Sequence, residues 1–317
     1  MTAILAIGEP MLEFNATARG PIHSVNHFAP GFGGDTSNTL VAAARLGASA
    51  AIITRIGDDP FGDALMTMWE EAGVATHLVS RTPDAPTGIY FIHRDDRDHH
   101  FTYYRKGSAA SAMAPGDLAP KAIAEAKILH ASGISQAISE SACDTVFAAM
   151  ETARDAGVTV SYDPNLRLKL WPLPRARAVI HQAASMSDIF LPSLEDAELL
   201  TGLSDTTAIV TTYLAMGPSI VVLKLGRKGA LIARRGEIPA DFRKIDIFPV
   251  ETVDMAGAGD TFDGAFLTAY SEGRSLTQCG QFAAAAAALT TTGLGAVGPI
   301  PTREQVEELL AGDTKKT

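Results

Sequence analysis

Short apolar, β-branched runs alternate along the chain with longer stretches in which apolar residues recur three and four positions apart. The runs are Ala3–Ile7, Ala50–Ile53, Ile128–His130, Val158–Tyr162, Ile189–Leu191 and Ile220–Leu223. Such alternation predicts βαβ units, with strands lying parallel in one sheet that helices cover on both faces. Two segments break the rhythm, Glu13–Pro30 and Thr87–Ser108; within the second, IYFIHRDDRDHHFTYYRKG reads as strand, charged turn, strand. Hairpins of that kind do not join a parallel sheet easily, so they predict a small separate β-layer. The expected organisation is an α/β body built from 1–12, 31–86 and 108–317, with a β lid from 13–30 and 87–107. A flap beside the carboxyl ends of parallel strands places a ligand cleft between the two.

Composition narrows the function. The 317 residues are 46% apolar and 20% charged, enough for a large core without disulfides or metals. The balance of 26 Lys+Arg against 36 Asp+Glu gives a formal net charge of −10, which repels nucleic acid and anionic lipid. An anionic substrate must then be held by a few local cations. Cys143 and Cys279 fall in helical patterns and read as packing residues of a reducing compartment. The run before Glu9 reads as a buried strand rather than a leader, and Phe282–Leu289 is too short to span a bilayer, so a cytoplasmic protein is expected.

Candidate chemistry is densest at Val253–Phe262. Helical spacing of Phe262, Phe266, Ala269 and Tyr270 puts Gly257, Ala258 and Gly259 at a helix N-terminus, where free amides and the helix dipole favour an anion. Asp260 there is either a helix-stabilising charge or a base for a hydroxyl attacking a phosphoryl group. A second cluster, Gly31-Phe-Gly-Gly-Asp-Thr-Ser-Asn38, opens a helix; its glycines admit a ligand to the backbone, and Asp35 can cap the helix or accept hydroxyl bonds.

Together these two stretches resemble the signatures of the ribokinase-like PfkB carbohydrate kinases, and the likeness runs from Ile4 to about Leu310. The resemblance implies a ribokinase-like fold, ATP and Mg²⁺ as cofactors, and Asp260 as catalytic base beside an anion hole of Gly257, Ala258 and Gly259. It implies that Asp254 positions this loop, that Met255 and Ala256 fill its variable places, and that Gly34, Asp35 and Asn38 line the sugar pocket. Tyr103-x-Arg105 on a flap strand and Asp163-x-Asn-x-Arg167 after a strand resemble the family's 2-keto-3-deoxygluconate kinases. That likeness implies Tyr103, Arg105 and Arg167 at the acid end of a sugar acid whose terminal hydroxyl lies near Asp260, with Arg suited to a bidentate carboxylate. Taken alone, Arg167 reads equally as a surface ion pair.

The nucleotide side is less regular. Ser193 and Asp196 stand where the family often has Asn-x-x-Glu, leaving Asp196 an outer-shell Mg²⁺ role and Ser193 a helix cap; Glu195 and Glu198 read as surface charge. Lys224, Gly226 and Gly229 resemble a nucleotide loop, although Gly-x-x-Gly alone is a turn signal. The alanine run Ala283–Ala288 lacks the family's adenine-contacting Asn, so it carries no expected base contact. His99 and His100 are expected at a solvated flap tip, and His130 as a hydrogen-bonded core residue. Competing expectations are a fructokinase-like or ribokinase-like neutral-sugar kinase, which would leave Arg105 and Arg167 without an anionic partner, and a non-catalytic sugar-acid sensor, which would not need Asp260. The resemblance also admits a monovalent cation beside the catalytic loop, and the flap layer suggests a homodimer formed through the lid.

Overall fold

The computed structural model describes residues 2–95 and 99–313. All six predicted runs are strands of one sheet. With strands numbered in chain order, β1 (Ile4–Ile7), β4 (Ala50–Gly57), β9 (Ile128–Ser132), β10 (Thr159–Asp163), β11 (Ile189–Phe190) and β12 (Ile220–Lys224) run parallel. Short strands β5 (Val74–Ala75) and β6 (Val79–Thr82) continue the parallel pairing beside β4, while β13 (Ala230–Arg234) and β14 (Arg243–Ile245) add antiparallel at the far edge. The order is β14-β13-β12-β11-β10-β9-β1-β4-β5, with β6 on β4.

Alternation along these strands sorts the core into two layers. Ile4, Ala6, Ile52 and Val222 face one cluster with Leu40 and Phe266, whereas Leu5, Ile7, Ile53 and Val221 face another with Met150 and Ile180. Each large apolar side chain fully buried this way contributes about 1.5–3 kcal/mol, which is why near-continuous apolar strands require helices on both sides. Cys143 and Cys279 are buried free thiols in helices, as their spacing predicts. His130 is a core residue bonded to Ser161 Oγ at 3.1 Å, its pKa lowered to about 4 by burial. Among the described residues no helix is long and apolar enough to cross a membrane.

The separate β-layer is a four-stranded sheet of β2 (Met11–Ala16), β3 (Phe28–Gly33), β7 (Gly88–Arg94) and β8 (His99–Tyr104), in the order β3-β2-β7-β8. Its outer pairs are antiparallel, but the central β2–β7 pair is parallel, because the body strand β4 and its helix lie between them in the chain. The small sheet also takes Met11, Leu12 and Gly31–Gly33, which the 13–30 boundary assigned to the body. The charged turn before His99 includes residues 96–98, which lie outside the described residues. His100, expected at a solvated tip, is instead partly buried, stacked on His93 at 4.7 Å with its Nε2 3.0 Å from Asp95.

Candidate active site

Both glycine-containing signatures end at helix starts, and the fold brings those starts together. Gly34 precedes the Asp35–Arg45 helix with φ 102°, in a place where any Cβ would run into the backbone of Glu9. Asp35 then accepts the Thr36 amide at 2.8 Å and Asn165 Nδ2 at 3.0 Å. One turn later Asn38 Nδ2 donates to Asp260 Oδ2 at 2.8 Å, joining positions 222 residues apart. Asn38 Oδ1 has no partner among the described residues.

Asp260 lies in the first turn of the Ala258–Ser271 helix, whose N-cap is Gly257 at φ 72°. A Cβ on Gly257 would sit 2.5 Å from the Ala296 carbonyl oxygen, so only glycine lets the 254–258 and 293–297 loops interlock. The resulting turn presents first-turn amides at the positive helix end. Burial first, and then the nearby charge of Asp35, raise the Asp260 pKa to about 7, against the opposing bond from Asn38. A carboxylate poised there can take a proton from a hydroxyl at neutral pH.

Asp254 holds this loop as expected of it, accepting the amides of Ala256 at 3.1 Å and Gly295 at 3.2 Å and pairing with Arg94 at 3.1 Å. Beneath the helix start lies a buried trio. Lys224 Nζ contacts Asp163 Oδ2 at 3.0 Å and both Asp263 oxygens at 2.9 and 3.0 Å. Burial pushes both carboxyls up and Lys224 pulls them down; Asp163 ends below its ordinary value and Asp263 well above it. The Lys224 ammonium is therefore held by two aspartates rather than left free for a ligand.

Lys224 still lines a cavity of about 410 Å³ together with Gly226, Gly229, Gly259, Phe248 and Val250. Ala284, Ala287, Ala288 and Thr291 line it as well. The small side chains of Ala284, Ala287 and Ala288, at i, i+3 and i+4, leave this space open. Ser193 is the cap of the Leu194–Thr201 helix, accepting the Asp196 amide at 3.1 Å. Asp196 Oδ2 accepts the Leu166 amide at 3.1 Å, and burial and Asp163 raise its pKa.

On the small-sheet side, Tyr103 stacks on Tyr90 at 5.4 Å, and the Arg105 guanidinium sits 5.7 Å from the Tyr103 ring centroid. Arg105 differs from its expectation. It is buried in an ion pair with Glu9, donating through Nε at 2.7 Å, while Ser108 donates to the other Glu9 oxygen at 2.6 Å. Its charge is thus already balanced inside the protein. Arg167 is exposed, donates to its own neighbour's Leu166 carbonyl at 3.0 Å, and acts electrostatically on both Tyr103 and Asp196.

Five site carboxylates and amides had no assigned role from sequence: Glu9, Glu13, Asp163, Asn165 and Asp263. Glu13 is buried and accepts the Tyr90 hydroxyl at 2.6 Å. Three of these carried a readable signal, since Glu9, Glu13 and Asp263 interrupt otherwise apolar strand or helix faces. Among the described residues, no group of three or more His, Cys, Asp or Glu is arranged to hold a metal ion by itself.

Comparison with known proteins places this geometry in context. The description "pfkB family carbohydrate kinase" matches residues 1–303. A 2-dehydro-3-deoxygluconokinase of Thermoproteus tenax is 34% identical, covering 98% of this chain and 94% of that protein. A probable fructokinase of Arabidopsis thaliana is 33% identical over 98% of this chain and 97% of its own length. Among solved structures, a putative ribokinase II from E. coli in complex with ATP and Mg²⁺ superposes with a TM-score of 0.91 at 26% identity, covering 98% of this chain and 100% of the other. The two signatures, the two sheets and the helix-start pair of Asn38 and Asp260 thus have one source: this chain belongs to the PfkB family of carbohydrate kinases.

Proposed function

We propose that the protein transfers the γ-phosphoryl group of ATP to the terminal hydroxyl of 2-keto-3-deoxy-D-gluconate, giving 2-keto-3-deoxy-6-phosphogluconate and ADP. Asp260 takes the hydroxyl proton as the new O–P bond forms and the bond to ADP breaks. The amides of Gly257, Ala258 and Gly259 stabilise charge on the transferring group, where preorganised donors act most strongly. Gly34, Asp35 and Asn38 hold sugar hydroxyls, and Tyr103 packs against the sugar.

The cavity beside Lys224, Gly226, Gly229 and Gly259 has the size and the apolar wall that a nucleotide base needs. The half-buried Asp196 carboxylate would hold Mg²⁺ through an outer-shell water, and the ion would supply neutralisation of phosphate charge. A monovalent cation beside the 254–258 loop belongs to this reading only through family likeness. The reading is of a cytoplasmic enzyme. Its dimer forms through the small sheet, whose edge strand β8 exposes Phe101 and Tyr104, and sedimentation measures it.

One observation carries the choice of a sugar acid: an exposed guanidinium, Arg167, at the carboxyl end of β10 beside Tyr103, with no carboxylate bonded to it among the described residues. Such a group suits a substrate carboxylate. Arg105 supports the acid end through Tyr103 and, in its present pairing with Glu9, not by a free charge. Fructose is the second reading, favoured by the near-equal identity to fructokinases. Arg167→Ala separates them. KM for the sugar acid is expected to rise roughly tenfold to a hundredfold, the scale of one charged hydrogen-bonding pair, with KM for ATP nearly unchanged. Equal rises in both would assign Arg167 to folding and withdraw the sugar-acid choice.

A further inference from the structure

The pair Arg94–Asp254 joins the small sheet to the loop ahead of the Gly257 turn. Arg94 ends β7 in the small sheet; Asp254 opens the loop that becomes the Gly257 turn. Asp254 is nearly buried, its side chain 9% exposed, and its two oxygens also hold the amides of Ala256 and Gly295. The 254–258 loop is further tied to the 291–296 segment: the Val253 and Asp254 amides donate to Thr291 O at 2.8 and 3.1 Å, and Gly257 packs directly on Ala296. These two loops therefore move as one piece, and Arg94 is the cation that fastens that piece to the small sheet. The buried Glu13 of β2 lies close enough to feel both Asp254 and Arg94, so the guanidinium also offsets the repulsion between these two carboxylates.

We propose that Arg94 is a positioning residue that couples the placement of the small sheet to the assembly of the helix-start anion hole. With the small sheet seated, Arg94 holds Asp254, Asp254 holds Ala256 and Gly295, and the Gly257–Asp260 turn keeps the geometry that phosphoryl transfer needs. With the sheet displaced, Asp254 loses its cation and the turn relaxes. The arrangement ties phosphoryl transfer to an occupied, covered sugar site and disfavours transfer to water. The inference rests on the kinase reading given above, and its test contains one arm that does not.

The independent arm is amide hydrogen exchange on the full chain without ligand. Arg94→Ala should speed exchange in 252–260 and 291–297 while leaving β9 and β10 as in the wild type; unchanged exchange in those loops would overturn the proposal. The kinetic arm compares Arg94→Ala, Arg94→Lys, Asp254→Asn and the Arg94→Ala/Asp254→Asn double variant. Arg94→Ala should lower kcat roughly 10–10²-fold, the cost of a small misplacement of reacting groups, with KM for ATP unchanged. Arg94→Lys should recover part of kcat, and the double variant should be scarcely slower than Asp254→Asn alone. Additive losses, or equal loss in Lys and Ala variants, would reduce the pair to an ordinary partly exposed ion pair. Absence of turnover by the wild type on every sugar would strike the kinase reading and leave the exchange result to decide the latch.

Discussion

Asp260→Asn is expected to lower kcat by roughly 10²–10⁴, the usual scale of losing a general base, while both substrates still bind. Asn keeps the shape and the contact with Asn38 but cannot accept the proton. In the wild type, kcat/KM should rise with pH and level off above an apparent pKa near the Asp260 value of about 7. The same shift has a stability consequence. Burial, followed by repulsion from Asp35, raises this carboxyl from 3.8 to about 7, so the folded state keeps a proton that the unfolded state has already released. Stability from this group is therefore fullest below about pH 4 and falls as pH rises toward 7 and through it. Asp260→Asn escapes that cost. Its Tm should exceed that of the wild type by more at pH 8 than at pH 5, a trade of stability against activity common at active sites. Near-normal turnover in the variant would remove Asp260 from the mechanism.

Lys224→Met should destabilise the fold by about 3–5 kcal/mol, the cost of removing one partner from a buried ionic group. Two carboxylates, Asp163 and Asp263, would be left facing each other without a cation. Asp263→Asn should cost less than Lys224→Met, because Lys224 then keeps the Asp163 carboxylate as its partner and no charge is left buried without one. Denaturant unfolding of both variants measures the contrast. Similar losses in the two would mean that Lys224 is not the cation that holds the trio together. The effect reaches function as well, since Asp163 leads into the Arg167 loop, Lys224 borders the cavity and Asp263 lies one turn beyond Asp260.

Most of this fold is legible as pattern. Two-residue alternation fixes which face of β1 or β12 meets which helix layer, and glycine and aspartate at helix starts mark where ligands can approach the backbone. Local pattern cannot say what a charged side chain pairs with across the sheet. Arg105 looked like a free cation from its place in a flap strand; its partner, Glu9, lies 96 positions away and was read only as the end of a strand. Lys224 was placed at the cavity by its turn, yet its ammonium is claimed by Asp163 and Asp263 from two other elements. The cavity beside the alanine run was out of reach for another reason: small side chains on one helix face mark open space only once the neighbouring elements are placed. The parallel β2–β7 pairing was equally out of reach, because hairpin signals report only neighbours in sequence.

The most direct test of the account is a coupled ADP-release assay of the purified protein with ATP and Mg²⁺, comparing 2-keto-3-deoxygluconate with fructose, ribose and adenosine. The account predicts a kcat/KM at least about a hundredfold higher for the keto acid, equivalent to about 2.7 kcal/mol of transition-state discrimination. Equal or greater kcat/KM for fructose or ribose would contradict it, leaving the family and Asp260 in place and Arg167 without an anionic substrate to bind.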